Sequence, residues 1–325
     1  MHPLPYPVQL RRAGSPVAGD ARCCFGGTSR IGRQNVVQST CMKTLAAILL
    51  ATVLPASAQL DLSGVWVPVF HEDQPERIPG PALADFVGLP VNDAARKWAL
   101  AWDPDRLTAQ EHQCQVHTAA YIYRGPLLLR VWDERDLQTQ TMVAQRQYIN
   151  NYEQNRTIYL DGRPHPPDHY PHTWMGFSTG EWQGNVLTVY TTHIKQGWHR
   201  RNGLPSSDRI TLTEHFIRHA DHLTHVSIVT DPDYLEEPLI KSQDFVLSLT
   251  AGLETQGTNL LSNWLYPCEY VEEAPWHLRD RVQSFTPGEN PFLDEFAKQS
   301  GIPREAALGG AATMYPEYRE TLPRR

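Results

Sequence analysis

The stretch RITLTEHFIRHADHLTHVSIVT, residues 209–230, decides the fold class of this chain. Apolar and polar residues alternate along both of its halves, and Ala220-Asp221 stands between them as a turn. The pattern predicts an antiparallel hairpin in which Glu214 lies opposite Ser227 and diagonal to His225. One face of the hairpin is mainly apolar and should point inward; it carries Ile210, Leu212, Phe216, Leu223 and Val229.

Further β-prone runs, rich in Val, Ile, Leu, Thr, Tyr and Trp, flank this hairpin and are separated by turn residues. These predicted strands are Asp61–Val67, Ala119–Tyr123, Leu127–Trp132, Thr141–Ile149, Arg156–Leu160, Thr173–Trp182, Val186–Ile194 and Leu239–Leu249. With about ten strands and mostly hairpin-length links, the chain should form an antiparallel up-and-down β-barrel, lipocalin-like in broad shape. Closure removes exposed strand edges, and a β-sandwich is the main structural alternative.

The barrel domain should cover residues 59–250, with one excursion and one appended tail. The excursion, residues 71–118, is Pro-rich at its start and then shows a helical pattern around Asn92–Trp102. Within it, Thr108-x-x-Glu111 is typical of a helix-capping box. The tail, residues 251–325, contains one predicted helix at Pro291–Ser300. It should wrap the barrel, because its apolar residues are too sparse for a core of its own.

Residues 42–58 have the pattern of a secretory signal peptide. A positive residue precedes an apolar run from Leu45 to Leu54, and Ala56-Ser57-Ala58 supplies the small residues of a cleavage site. The apolar run is shorter than the ~20 residues that a membrane anchor needs. We therefore expect cleavage after Ala58 and a periplasmic or secreted product, with residues 1–41 a spurious or disordered leader.

The charge balance of the expected mature chain argues against a nucleic-acid partner. Removal of residues 1–58 deletes six basic residues and one acidic residue and leaves 23 basic and 35 acidic residues, a net charge of −12 with neutral His. Nucleic-acid binding depends on clustered Lys and Arg, which this balance does not favour. No apolar run of membrane length follows the signal peptide, so no membrane span is expected. Only Cys114 and Cys268 remain, and a disulfide is favoured over two buried thiols.

Two resemblances accompany these patterns. Gly64-Val65-Trp66 on the first strand resembles the Gly-x-Trp signature of lipocalins and related barrels. Residues 156–165, 172–184 and 213–218 resemble a group of exported bacterial proteins of unknown function, and so does Met314-Tyr-Pro-Glu-Tyr318 in the tail. The second resemblance covers most of the mature chain. It implies a common fold and implies no particular activity.

The first candidate catalytic residues follow from strand parity. Glu214 and His225 lie on the inward face of the 209–230 hairpin, and Ser227 lies opposite Glu214. Diagonal neighbours are separated by roughly 7–8 Å at the backbone, so long side chains reach each other. A buried carboxylate beside an imidazole is typical of acid–base chemistry, although such a pair can also tie strands together structurally.

A second hairpin, with Gly184-Asn185 as its turn, extends the candidate site. Its register pairs Trp182 with Leu187, Ser178 with Thr191 and Gly176 with His193, and His172 and Trp174 share this parity. Glycine in a strand can mark the approach of a ligand, so this face predicts a pocket for an apolar or aromatic molecule. The alternative is a crowded wall relieved by glycine, with His193 simply hydrogen-bonded. The predicted catalytic residues are Glu214, His225, His193 and His172, and the predicted ligand-binding residues are Trp174, Ser178, Trp182 and Ser227.

The run His165-x3-His169-x2-His172 raises a metal alternative, with His169, His172 and His193 as ligands. Four neighbouring prolines bias the segment toward extended polyproline structure, which separates the histidines too widely for one ion. We therefore assign no metal ligand and no cofactor. The chain also has no His-Glu-x-x-His helix, phosphate-binding glycine loop or dinucleotide fingerprint.

Three functions are consistent with these patterns, and each involves a small-molecule ligand or substrate. An exported enzyme would use Glu214 and a neighbouring His for proton transfer on a small apolar or aromatic molecule, in an isomerase, lyase or hydrolase reaction. A carrier would bind such a molecule in the same barrel without changing it. A metal-dependent oxidoreductase would use the His ligands. The acid–base hypothesis requires Glu214 to be buried beside a His and next to an open cavity.

Overall fold

The computed structural model describes residues 61–69, 81–103, 116–124, 128–149, 154–250, 285–286 and 289–323. Three predictions lie outside these residues: the leader and signal peptide at 1–58, the capping box at Thr108–Glu111, and the Cys114–Cys268 disulfide. None of the described helices is long and apolar enough to cross a membrane.

The described part of the chain is mainly β. Its strands are β1 (Gly64–Pro68), β2 (Leu129–Arg135), β3 (Met142–Ile149), β4 (Gln154–Tyr159), β5 (Phe177–Gln183), β6 (Val186–Thr192), β7 (Gly197–Arg200), β8 (Leu204–Ser206), β9 (Thr211–His219), β10 (His222–Thr230) and β11 (Leu239–Ser248). All except β7 and β8 close into one barrel, in the order β1-β11-β10-β9-β6-β5-β4-β3-β2. The predicted β-barrel, lipocalin-like in broad shape, is confirmed, and the β-sandwich alternative is excluded.

The two central hairpins adopt the predicted register. Glu214 of β9 pairs with Ser227 of β10, and Ser178 of β5 pairs with Thr191 of β6. Gly184, in the turn between β5 and β6, has a φ of 64°, a conformation that tight hairpin turns require. Because side chains alternate across a strand, this register determines which residues face the barrel interior.

One strand pair departs from the predicted antiparallel order. β4 and β5 are parallel and are paired only through Ile158–Ser178 and Tyr159–Thr179. The connection between them, residues 160–176, is long enough to carry the chain back along the barrel before β5 begins. The other neighbouring strands of the barrel run antiparallel.

One predicted strand has a different structure, and one hairpin lies outside the barrel. Ala119–Tyr123 was expected as a strand, but it is a turn that leads into a 3-10 helix at Ile122–Arg124. Ile122 and Tyr123 are packed in the barrel core, so the β-like composition of this segment reflects burial rather than strand pairing. Outside the barrel, β7 and β8 pair as a separate antiparallel hairpin that contains His199.

Four short α-helices accompany the barrel in the described residues: α1 (Asp93–Leu100), α2 (Phe292–Ser300), α3 (Arg304–Ala307) and α4 (Pro316–Glu320). The predicted helix starts of α1 and α2 are close to the observed ones. α1 begins after Asn92, whose side-chain oxygen accepts a hydrogen bond from the backbone N–H of Ala95 at 3.0 Å.

The apolar core has two parts. One fills the barrel and includes Trp66, Leu187, Phe216, Leu223 and Phe245. The other joins barrel residues to α1, α2 and α3, through Ala95, Leu212, Leu293, Phe296 and Ala307. The candidate site therefore lies inside the barrel, among the apolar residues of the first part of the core.

Candidate functional site

An ion pair between Arg156 of β4 and Glu214 of β9 lies inside the barrel. Both side chains are 0% exposed. Nη1 of Arg156 donates to Oε1 of Glu214 at 2.9 Å, and Nη2 donates to Oε2 of the same carboxylate. This two-bond geometry is the strongest form of contact between an arginine and a carboxylate.

The remaining donors of Arg156 are also occupied. Nη1 donates to the hydroxyl oxygen of Tyr123 at 2.6 Å. Nη2 donates to Oγ1 of Thr191 at 2.9 Å and contacts Oγ of Ser178 at 3.1 Å. Nε lies 3.3 Å from the same Ser178 oxygen. A guanidinium has five N–H donors, so Arg156 has none left for a ligand.

His225 completes the coordination of Glu214. Its Nε2 lies 2.9 Å from Oε1 of the carboxylate. An ionised carboxylate only accepts hydrogen bonds, so Nε2 carries the proton and Nδ1 holds the lone pair of the neutral ring. The imidazole stacks on Phe216 with 4.7 Å between ring centroids, and it lies 4.3 Å from the ring of Tyr123. These two rings hold the imidazole in place.

The surroundings push both members of this pair toward low pKa values. Burial by itself would raise the pKa of Glu214, but the charge of Arg156 and the hydrogen bonds from His225 and Arg156 lower it to about 2. Burial lowers the pKa of His225, and the neighbouring Arg156 and Arg124 act in the same direction. Glu214 is therefore a permanent anion that is matched by Arg156. A base with so low a pKa is poorly suited to accept a proton near neutral pH, contrary to the role predicted for Glu214.

A chain of amide side chains continues from the ion pair. The Tyr123 hydroxyl donates to Oε1 of Gln147, and Nε2 of Gln147 donates to Oε1 of Gln145 at 3.3 Å. Each bond determines the orientation of the next amide, and the chain ends at the NH2 group of Gln145. This nitrogen is buried and has no hydrogen-bond partner.

Gln243 presents a second unpartnered amide. It lies on β11 directly opposite His225, and it is 3% exposed. Neither its nitrogen nor its oxygen has a hydrogen-bond partner. Buried polar groups are nearly always hydrogen-bonded, so an amide with both atoms free needs an explanation.

These buried polar side chains form a layer inside the barrel, which we call the polar layer. Its members come from seven strands and are Gln147, Arg156, Ser178, Thr191, Glu214, His225 and Gln243. Tyr123, from the 3-10 helix, contacts Gln147, Arg156 and His225. The polar layer therefore links both central hairpins to the β3–β4 side of the barrel.

The structure brings four of the predicted site residues to the barrel interior. Glu214, His225 and Ser178 belong to the polar layer, and the pairing of Glu214 with His225 is as predicted. Ser227 is also buried, and its hydroxyl lies 3.5 Å from the backbone oxygen of Lys241. Strand parity placed these residues correctly because they lie within regular hairpins.

His172, His193 and Trp174 do not join the polar layer, which corrects their predicted position. β6 ends at Thr192, and His193 has a φ of 57°, so the parity of the strand does not extend to it. His193 contacts the backbone oxygen of Pro167 at 3.0 Å, and His172 contacts that of Ile194 at 3.0 Å. Trp174 lies against the ammonium group of Lys195 instead.

The predicted pocket between the glycines and the tryptophans does not open onto the polar layer; Gly180 and Trp182 instead line a groove in the barrel wall, without His172, Trp174 or His193. A Cβ atom at Gly180 would lie only 2.9 Å from side-chain atoms of Ile158 and Leu160. A Cβ at Gly176 would meet the backbone oxygen of Thr192 at 2.5 Å. Glycine thus relieves crowding in the barrel wall, and Trp182 packs against the apolar core rather than lining a pocket in the polar layer.

The metal alternative gains no support from the described residues. They contain no group of three or more His, Cys, Asp or Glu side chains arranged to hold a metal ion. The rings of His172 and His193 have centroids 5.3 Å apart, but one nitrogen of each is directed at a backbone carbonyl. His165 lies between the hydroxyls of Thr192 and Thr179, at 2.7 and 2.9 Å.

Sequence reasoning missed Tyr123, Arg156, Gln145, Gln147 and Gln243. Arg156 could have been found from the alternation of β4, in which Gln154, Arg156 and Ile158 are buried in turn. A buried arginine requires a carboxylate partner, and Glu214 was the inward carboxylate already identified. No local signal identifies Tyr123, because its segment has no regular period.

A second buried cluster lies outside the polar layer. Nε2 of His199 lies 2.9 Å from Oδ2 of Asp231, which also accepts the backbone N–H of Ser207 at 2.9 Å. Burial lowers the pKa of His199. His117 is buried as well, and burial together with the charge of Arg201 lowers its pKa to about 3.

No family model matches the chain, no curated protein matches it, and no solved structure matches it. The functional argument therefore rests on the geometry of the polar layer.

Removing one partner of the buried ion pair should destabilise the fold strongly, because the remaining charge stays buried without a counter-charge. Arg156→Met leaves Glu214 without a counter-charge, and Glu214→Met leaves the guanidinium uncompensated. Each change should therefore lower the free energy of unfolding by about 3–5 kcal/mol, measured by urea denaturation. The double variant should lose clearly less than the sum of the two, because no unpaired charge remains.

The exposed pair of Arg146 and Glu134, 2.6 Å apart, provides a matched control. Glu134→Met should lower the free energy of unfolding by less than about 1 kcal/mol. Losses at Arg156 and Glu214 that simply add in the double variant would show that the two residues do not act as a pair.

Acidification should destabilise the fold from about pH 6.5 downward, before carboxylates titrate. His117, His199 and His225 have lowered pKa values when folded, so below pH 6.5 the unfolded chain binds protons that the native chain does not. Their contribution is complete above pH 6.5 and is lost as the pH falls toward the folded pKa of each ring; for His117, whose pKa is lowered to about 3, the loss is about 1.4 kcal/mol per pH unit.

Urea denaturation at pH 7.5, 6.5, 5.5 and 5.0 measures this slope. His117→Asn should reduce it, since the pKa of His117 is lowered to about 3 and this ring stays neutral in the folded protein over the whole range. His219→Gln, at an exposed position, is the control in which all three buried rings remain. A stability that is constant between pH 7.5 and 5 would contradict the prediction.

Proposed function

We propose that this protein binds a small uncharged molecule inside the barrel, beside His225 and Gln243. The observation that carries the proposal is the amide of Gln243, which is buried with both polar atoms unpartnered. Leaving a buried donor or acceptor unpaired costs about 1–3 kcal/mol, which a bound ligand would offset. A ligand that offers one acceptor and one donor would satisfy both atoms.

The charges of the polar layer favour an uncharged ligand. Arg156 and Glu214 balance each other; all five N–H donors of Arg156 are used within the protein, and both carboxylate oxygens of Glu214 accept hydrogen bonds. A charged ligand group would therefore enter the barrel without a counter-ion, at a large desolvation cost. The rings of Phe216 and Tyr123 beside His225 suit an apolar or aromatic body.

The replacement Gln243→Met should change stability and binding in opposite directions. Removing the unpartnered amide should leave the free protein equally stable or more stable, by up to about 1 kcal/mol. The same change should weaken binding of a neutral amide probe by tenfold or more. Gln147→Met is the matched control, because Gln147 is hydrogen-bonded on both sides and its loss should destabilise the protein.

Benzamide and benzoate are suitable probes because they have the same shape and differ in charge. Benzamide should raise the melting temperature, and at ten times its Kd the stabilisation should be about 1.4 kcal/mol. Benzoate should have a much smaller effect at equal concentration. Equal or stronger stabilisation by benzoate would contradict an uncharged ligand, and no response of the wild type to either probe would argue against this ligand class.

An acid–base enzyme is the second candidate, with His225 rather than Glu214 as the proton acceptor. The contact of 2.9 Å between His225 and Glu214 favours it, since a carboxylate that holds one ring nitrogen orients the other as a base. In this candidate Glu214 is a positioning residue. The reaction would be an isomerase, lyase or hydrolase step on the same bound molecule.

The two candidates differ in the result of His225→Gln. A carrier should leave the molecule chemically unchanged in the wild type and in the variant, whatever the change in ligand affinity. An enzyme should convert the molecule in the wild type, as followed by NMR of the mixture. The conversion should fall by a factor of about 10²–10⁴ in the variant.

We also propose that the protein is exported, with residues 42–58 as its signal peptide and with a Cys114–Cys268 disulfide in the mature chain. The amino-acid pattern of the signal peptide supports this location. N-terminal sequencing of the secreted product should begin at Gln59. Two alkylatable thiols in the unreduced, denatured product would contradict the disulfide.

A further inference from the structure

Beyond the end of β4, the barrel wall contains a gap one strand wide between β3 and β5. β4 ends at Tyr159, and its last pair with β5 is Tyr159–Thr179. β5 continues beyond this pair to Gln183. No described strand pairs with Gly180–Gln183 on the side that faces β4. This stretch of β5 therefore presents backbone groups along an open edge.

A groove of about 660 Å³ occupies this gap. It is lined by Met142 of β3, by Leu160, Gly162 and Arg163 after β4, by residues 179–183 of β5, and by Thr188 and Tyr190 of β6. Residues from both faces of β5 reach it. The groove is therefore a cleft in the wall itself and not a depression on the outer surface alone.

The two sides of the cleft differ in chemistry. On the inward side Leu160 and Trp182 are packed against the apolar core, and the indole N–H of Trp182 is buried without a hydrogen-bond partner. On the outward side Glu181 is exposed, and no described residue forms an ion pair with it. Arg163 is already engaged by Asp161 and lies over the ring of Tyr159.

We propose that this cleft binds an extended peptide segment that adds a strand along Gly180–Gln183. Its main chain would pair with the open edge of β5. Side chains alternate along a strand, so an apolar residue would point inward beside Leu160 and Trp182, and a basic residue would point outward beside Glu181. The edge of four residues corresponds to about 13 Å of extended chain.

An extended peptide accounts for features that a compact ligand does not. The edge offers hydrogen-bonding groups in a row, which only another extended backbone can match over several residues. Apolar and acidic surroundings alternate along the cleft with the two-residue period of a strand. This inference rests on residues outside the polar layer, so it is independent of the function proposed for the barrel interior.

The test uses the full-length mature protein and the fluorescein-labelled peptide Lys-Val-Lys-Val-Lys, capped at its C-terminus as an amide. Fluorescence anisotropy should show saturable binding. An analogue with N-methylated valines keeps the side chains but loses main-chain donors, and its affinity should fall at least tenfold. Equal affinity of the two peptides, or no binding of the first at millimolar concentration, would overturn the proposal.

A charge exchange at Glu181 tests the orientation of the peptide. Glu181→Lys should weaken binding of the Lys-Val peptide at least fivefold and should improve binding of the matched Glu-Val-Glu-Val-Glu peptide. Glu295→Lys makes the same charge change on α2, outside the groove, and should leave both affinities within twofold. If both variants changed the affinities alike, attraction to overall charge would replace strand addition as the explanation.

Discussion

The buried ion pair of Arg156 and Glu214 is the interaction on which the rest of the barrel interior depends. Removing two charges from water costs several kcal/mol per ion, and their attraction offsets this cost only when the surrounding donors and acceptors are also satisfied. Four side chains provide this, namely Tyr123, Ser178, Thr191 and His225. Each comes from a different element, so the requirements of one ion pair position the 3-10 helix and three strands relative to β4 and β9.

The same requirement separates the hydrogen-bonded groups of the barrel interior from the unpartnered ones. Arg156 uses all its donors on its neighbours, and both oxygens of Glu214 accept hydrogen bonds, which makes the pair a fixed and neutral centre. Two amides beside the ion pair have unpartnered atoms: the NH2 group of Gln145 ends the hydrogen-bonded chain from Tyr123, and Gln243 forms no side-chain hydrogen bond. The hydrogen-bonding groups that remain free therefore lie beside the ion pair rather than in it. His225 connects the two, since one ring nitrogen contacts Glu214 and its strand position faces Gln243.

Sequence reasoning succeeded where the structure is locally periodic and failed where the period ends. The pairs Glu214–Ser227 and Ser178–Thr191 were predicted because alternation and turn residues together determine a hairpin register. His193 was misplaced because it follows the last residue of β6 with a left-handed φ of 57°. Tyr123 was read as part of a strand because a buried irregular segment and a buried strand share the same composition.

The sequence by itself determined most strands of the barrel, the register of the two central hairpins and the inward position of Ser178, Glu214, His225 and Ser227. These are local properties, set by a two-residue period and by turn chemistry within a few residues. The tertiary structure alone decided that Arg156 meets Glu214, that β4 and β5 run parallel, and that a strand-wide gap opens beyond Tyr159. These features depend on how the barrel closes and how its strands are staggered. Closure and stagger bring together residues that are distant in sequence, so no periodic pattern along the chain indicates them.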